Sequence, residues 1–270
     1  QSYWVGLWVM LSMLALVVIQ PDLGTSLVFV AVFFIMSMFA AVPRRWIFGT
    51  IAVMVLGGLF VWFFRIPVGT DAAGNPCRYR LPPLTPQAED DGCEYIEFLR
   101  DYQRGRITAF INPGADPQGT GYHVTQSQIA IGGGGISGQG FLRGTQTHGG
   151  FIPVVYSDFI FAVIGEEFGF IGCAWVLLLY FLLIARILAL SRDAITLYER
   201  YICYGISAII LFHVFINIGM TIRLAPITGL PLPFISYGGS ALMTMWLCMA
   251  ILQSIFANSK RDYRFGKPQL

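Results

Sequence analysis

Apolar runs of about 20 residues, the length a helix needs to cross a hydrocarbon core, recur along this chain and leave little room for any other architecture. They fall at roughly 3–20, 25–42, 46–64, 159–185, 200–220 and 240–257. Only 12% of the residues are charged, against about 25% in a soluble domain, so a soluble bundle is excluded. The expected fold is all-α: a polytopic transmembrane helical bundle with a long extracellular loop, forming a single membrane domain over residues 1–270. No signal-peptide pattern precedes the first run. Gln1 to Trp8 already reads as the start of a span, which leads us to expect further helices upstream.

Orientation follows from the Lys/Arg bias at span ends. One side carries Arg44, Arg45, Arg186, Arg192, Arg200, Lys260, Arg261, Arg264 and Lys267 against Asp193, Glu199 and Asp262. That side is expected to be cytoplasmic, with the segments 65–158 and 221–239 on the opposite face. Within the first of these, residues 66–103 read as an extracellular insertion. It contains Cys77 and Cys93, a disulfide candidate in an oxidising compartment, with two free thiols as the alternative. Closing such a loop would contribute ~3 kcal/mol in the chain-entropy model. Residues 96–103 read as a short interfacial helix. The stretch 221–240 holds three prolines and three glycines in apolar sequence. It is expected to fold back as irregular backbone and wall a cavity, since such backbone survives at membrane depth only where protein or a wet cavity covers it.

The polar stretch from Arg104 to Asp158 concentrates the chemistry. It is rich in glycine and proline and ends in an acid that opens an apolar run. Asp158 has two readings: a helix N-cap, or a general base at a membrane-surface cavity. Glu166 and Glu167 lie two turns into the following span, where acids are expensive and usually face an interior or wet cavity. At 100° per residue, Glu166 lies about 80° and Glu167 about 180° round from Asp158, so Glu166 is the better placed to share its face. Its alternative is a structural pairing with Arg or backbone. Arg104, Arg106 and Arg143 are either solvated charges or grips for an anionic head group, for which the guanidinium fork suits phosphate. Pro21 and Gly24 suit a tight turn between the first two spans, and Asp22 either caps the second or lines the same cavity.

Other motifs carry less. Gly133-x-Gly135-x-x-Gly138 matches a dinucleotide fingerprint in form, but no βαβ context surrounds it; these glycines read as turn and close-packing residues. Ser157-Asp158 lacks a histidine placed as base. His123, His148 and His213 have no metal-ligand spacing. Cys173, Cys203 and Cys248 lie in spans and read as packing residues.

Several blocks in order resemble the SEDS family, which includes RodA, FtsW and SpoVE. They are Gln20-Pro21-Asp22-Leu23-Gly24-Thr25, Arg106-Ile107, Asp116-Pro117-x-Gly119-x-Gly121-Tyr122 with Gln126-Ser127, and Gly138-x-Gly140. Asp158-Phe159-Ile160-Phe161-Ala162 with Gly165-Glu166-Glu167, and Pro231 to Ser240, complete the set. The resemblance covers nearly the whole chain outside about 66–103. Gly140 to Gln146 and Asn217-Ile218-Gly219-Met220 are more similar to RodA than to FtsW.

The resemblance implies a ten-span protein of which this chain supplies spans five to ten. It implies a multi-pass protein of the bacterial cytoplasmic membrane. It implies an enzyme that polymerises lipid II into peptidoglycan strands, in cell elongation or division, alongside a class B penicillin-binding protein, with no nucleic acid partner. The family's essential aspartate falls on Asp158. Around it Val154 and Tyr156 stand where the family pattern has Glu and His. Arg106, Arg104, Gln126, Glu166 and Asp22 are the expected substrate-binding set. The cofactor expectation is open between none and a divalent cation, Mg or Mn, held by substrate phosphate and an acid. A lipid II flippase and a non-catalytic scaffold are the alternatives.

Overall fold

The computed structural model describes residues 2–20, 22–40, 42–63, 65–68, 94–97, 106, 110, 120–149 and 156–265. Long apolar helices dominate: α1 Ser2–Ile19, α2 Leu23–Phe39 and α3 Arg44–Phe63 precede a two-stranded ladder, β1 Arg65–Val68 and β2 Glu94–Glu97. Then come α4 Thr120–Gly134, the single turn α5 Thr145–His148, α6 Ile160–Asp193, α7 Leu197–Thr221 and α8 Gly239–Phe265. Among the described residues, three helical segments, Ile160–Asp193, Leu197–Thr221 and Gly239–Lys260, are long and apolar enough to cross a membrane; α1 and α2 are shorter apolar helices. The protein is a multi-pass helical membrane protein.

Two expectations need correction. The interfacial helix over 96–103 is not what forms at its start, because Ile96 and Glu97 pair with Ile66 and Arg65 in the antiparallel ladder. The fourth span, expected to end at 185, continues as helix to Asp193. Charges at Arg186 and Arg192 end the apolar run without ending the hydrogen-bond ladder.

The main core follows from spacing. Cys173, Tyr180 and Ile187 recur every seven residues along α6 and meet Cys203, Ile206, Ile210 and Val214 of α7, with Met245, Leu252 and Ile255 of α8. A seven-residue repeat keeps one seam against a partner helix. Helix α7 also packs on α2, and α2 on α1. A capping box starts α7: Glu199 N–H donates to Thr196 Oγ1 at 3.1 Å, and Thr196 N–H donates to the Glu199 carboxylate at 3.1 Å.

Helix α6 is broken near its start. Gly169 has φ 64° and ψ −162°, which leaves main-chain groups on both sides without helical partners. The loop after α4 supplies them. Phe170 N–H donates to Gly135 C=O at 2.9 Å and Ile171 N–H to Ile136 C=O at 3.2 Å. In return Gln139 and Gly140 N–H donate to Glu166 and Glu167 C=O at 2.9 and 3.0 Å. Such repair is what a broken helix in lipid requires. It also explains the glycine run. A Cβ on Gly134 would lie 1.9 Å from Gly165 O, and one on Gly138 2.1 Å from Glu167 O, so only glycine lets the two backbones approach.

Candidate active site

Asp158 sits in the turn Tyr156–Phe159 that enters α6, half-buried. The N-cap of α6 is Phe159, and no side chain caps it, so the Asp158 carboxylate is not spent on the helix N-terminus. Ser157 Oγ donates to Asp158 Oδ1 at 3.0 Å.

Facing this carboxylate is the irregular segment between α7 and α8. Gly229 has φ +74°, and a Cβ built there would lie 3.5 Å from Asp158 Oδ2 and 3.9 Å from both Nη atoms of Arg106. An acid and a guanidinium therefore both lie within reach of one bare Cα, about a methyl group's width away. Arg106 is tied to the same segment by Nη1 donating to Ile227 C=O at 3.3 Å. Next to Gly229, Thr228 is buried and its Oγ1 has no hydrogen-bond partner.

The start of α2 abuts this segment: a Cβ on Gly24 would lie 2.6 Å from Thr228 O and 3.3 Å from the Leu230 side chain. Asp22 itself caps α2, with Oδ1 accepting from Gly24 and Thr25 N–H at 3.0 and 3.2 Å. Its turn is thus packed on the wall of the gap, while its carboxylate serves the helix.

Glu166 is fully buried. Its carboxylate accepts from Gln146 N–H at 2.7 Å, Thr147 N–H at 3.0 Å and Thr145 Oγ1 at 3.2 Å. These donors open α5, whose own N-cap Gly144 offers no side chain. Glu166 thereby supplies from α6 the cap that the turn lacks, the structural pairing with backbone that its position allowed. Gln126 lies half-buried on α4, its Oε1 enclosed without a hydrogen-bond partner. Its neighbour Ser127 is fully buried and donates to Thr221 C=O at 3.0 Å, tying α4 to the end of α7. Arg104, Cys77, Cys93 and Val154 lie outside the described residues. Among the described residues no three His, Cys, Asp or Glu side chains gather as a protein-built metal site.

Sequence reasoning missed Gly229, Asn217 and Ser236. Asn217 carried a signal, being a lone amide in an apolar span, and such polar groups mark interior contacts. Gly229 carried none beyond its place in a proline-rich segment.

Fold and site together define a polytopic membrane protein with an acid–guanidinium gap where a broken helix begins. Residues 2–261 match the FtsW/RodA/SpoVE family, described as cell cycle proteins, and the chain belongs to that family. It is 35% identical over 282 residues to the peptidoglycan glycosyltransferase RodA of Treponema pallidum, covering 90% of this chain and 65% of that protein. It is 37% identical over 246 residues to the peptidoglycan glycosyltransferase MrdB of Escherichia coli K12, covering 91% and 57%. The chain therefore spans 57–65% of the length of these curated relatives. Among solved structures, it is similar to a chain of a peptidoglycan synthase complex that coordinates polymerisation and crosslinking, with TM-score 0.66 and 26% identity, covering 95% of this chain and 62% of that one. The fold is also that of Thermus thermophilus RodA, with TM-score 0.51 and 24% identity over 93% of this chain and 55% of that one.

Proposed function

We propose that this chain carries the catalytic carboxylate of a peptidoglycan glycosyltransferase that joins lipid II units into glycan strands, in elongation or division. The observation that carries the reading is the gap at Gly229, shared by Asp158 Oδ2 and the Arg106 guanidinium. A sugar hydroxyl is a poor nucleophile at neutral pH, so a carboxylate within hydrogen-bond reach is needed to take its proton. Asp158 accepts the proton of the acceptor GlcNAc 4-hydroxyl as that oxygen bonds to the anomeric carbon of the donor MurNAc. The anomeric C–O bond to the pyrophosphate breaks on the opposite face, which converts an α-linked donor into a β-linked strand. The leaving group is undecaprenyl pyrophosphate, and Arg106 stabilises the charge it gains. Since no protein-built metal site forms among the described residues, a divalent cation would be held chiefly by the substrate phosphates and would supply charge neutralisation to the leaving group.

The partner in this reading is a class B penicillin-binding protein, which cross-links the strands. The test uses the full-length protein with that partner, whose transpeptidase is blocked by a β-lactam. The complex is placed in vesicles, with lipid II supplied only to the outer face. Long glycan polymer on that face is the expected product. Transfer of intact lipid II across the bilayer without polymer would support a flippase instead and overturn the reading.

A further inference from the structure

Three consecutive main-chain carbonyls hold the turn that carries Asp158, and each has a different donor. Tyr156 C=O accepts from Tyr237 N–H at 2.9 Å. Ser157 C=O accepts from Ser236 Oγ at 2.6 Å, and the Ser236 hydroxyl in turn accepts from Leu232 N–H at 2.7 Å. Asp158 C=O accepts from Asn217 Nδ2 at 2.9 Å. All these donors lie on α7 or on the segment after it, none on α6, although the turn opens α6.

Asn217, like Ser236, reaches two places, but it does so with one donor atom. The same Nδ2 donates to Leu230 C=O at 2.8 Å, the residue after Gly229. One amide nitrogen therefore spans from the residue that supplies the acid to the neighbour of the glycine across the gap. Two carbonyl acceptors fix which end of the amide is nitrogen. Asn217 is fully buried, and its Oδ1 has no hydrogen-bond partner. A buried acceptor left unpaired costs stability. Leucine, with the same number of side-chain heavy atoms, would remove that unpaired oxygen but would also take the donor away from the Asp158 and Leu230 carbonyls.

We infer that Asn217 is a positioning residue for the reaction, with Ser236 as its second arm. It sets the distance between the Asp158 main chain and the Gly229 wall, so that the carboxylate meets the sugar hydroxyl in line. Neither residue touches substrate; both act through Asp158. The inference rests on Asp158 being the base.

The test measures lipid II polymerisation by the full-length protein with its transpeptidase partner, for Asn217→Leu, Asn217→Gln, Ser236→Ala and Asp158→Asn. Thermal melting of each purified complex is measured alongside. Misplacing a catalytic group by about 1 Å costs on the order of 10²-fold in rate, so kcat for Asn217→Leu is expected to fall about 10- to 100-fold. KM should stay within about twofold, because the substrate grips are untouched. Asn217→Gln keeps an N–H₂ donor and is expected to recover part of the lost kcat. Ser236→Ala, with one arm gone, should lose less than Asn217→Leu.

A folded Asn217→Leu complex with parental kcat overturns the inference, as does a lowered melting temperature with kcat unchanged. If Asn217→Leu does not yield folded protein, Ser236→Ala decides by the same split: lowered kcat at constant KM supports the clamp, and parental kcat overturns it. Asp158→Asn separates the two claims. An active Asp158→Asn refutes the base itself, whereas an inactive one beside a fully active Asn217→Leu refutes only the clamp.

Discussion

Asp158→Asn in the full-length protein is expected to make glycan polymer about 10²- to 10⁴-fold more slowly than the parent, the range a positioned general base contributes. The substitution keeps the shape of the side chain. Asparagine still accepts at Oδ1, so the bond from Ser157 Oγ survives. The main-chain bond from Asn217 is untouched. What disappears is a group able to take a proton, because a carboxamide is not a base in this pH range. Folding, membrane insertion and partner binding should match the parent, read by thermal melting and co-purification. A scaffold role for this protein predicts the reverse pattern, in which Asp158→Asn polymerises at the parental rate wherever the complex assembles.

Gly229→Ala is expected to abolish most activity, a loss larger than its destabilisation accounts for. The new methyl would meet Asp158 Oδ2 at 3.5 Å and both Arg106 Nη atoms at 3.9 Å. These are ordinary contact distances, so no neighbour must move. The cost lies in the backbone: φ of +74° is tolerated by glycine, and a Cβ there costs about 1–2 kcal/mol. The methyl would, however, crowd the acid and the guanidinium against which the reacting sugar and its leaving group are proposed to sit. A displacement of that size is expected to lower kcat/KM by on the order of 10²-fold. Melting curves and steady-state rates on the same preparation separate the two effects. Parental kcat/KM in folded Gly229→Ala would mean that the gap is not where substrate binds.

How much of this was legible in the chain depends on which physics was local. Helices α6, α7 and α8 were legible because lipid demands long uninterrupted apolar stretches, and that demand is written residue by residue. The end of α6 was not, since hydropathy stops at Arg186 while the helix runs to Asp193. The break at Gly169 was hidden for a related reason. Glycine is common in apolar spans, and FGFIG reads as continuous. The break exists because residues 135–140, distant in sequence, repair it. Helix α4 was hidden too. Its last residues are Gly132, Gly133 and Gly134, poor helix formers. Close packing on α6, which no local pattern records, accompanies its helical form. The extended start of 96–103 shows the same limit, because Ile96 needs Ile66 as a partner.

The site divides along the same line. Asp158 stood out as an acid opening an apolar run, and Arg106 as a cation in a polar stretch. That residues 221–240 fold back beside them was expected from the prolines and glycines of that segment; that Gly229 is where they meet was not readable, because no local pattern singles it out. Glu166 stood out for the right physical reason, the expense of a buried acid. The structure commits its oxygens to Thr145, Gln146 and Thr147, donors that hydropathy cannot see. Asp22 likewise kept the ordinary role of its position, at a turn that packs beside the gap.

The most direct test is a structure of the full-length protein and its partner bound to a non-reacting lipid II analogue. The account predicts the acceptor 4-hydroxyl at about 2.6–3.2 Å from an Asp158 carboxylate oxygen, the reach a general base requires, with the donor pyrophosphate against Arg106 and the sugar beside Gly229. An analogue seated on another face of the bundle, with Asp158 and Arg106 left in contact only with protein or water, would contradict it.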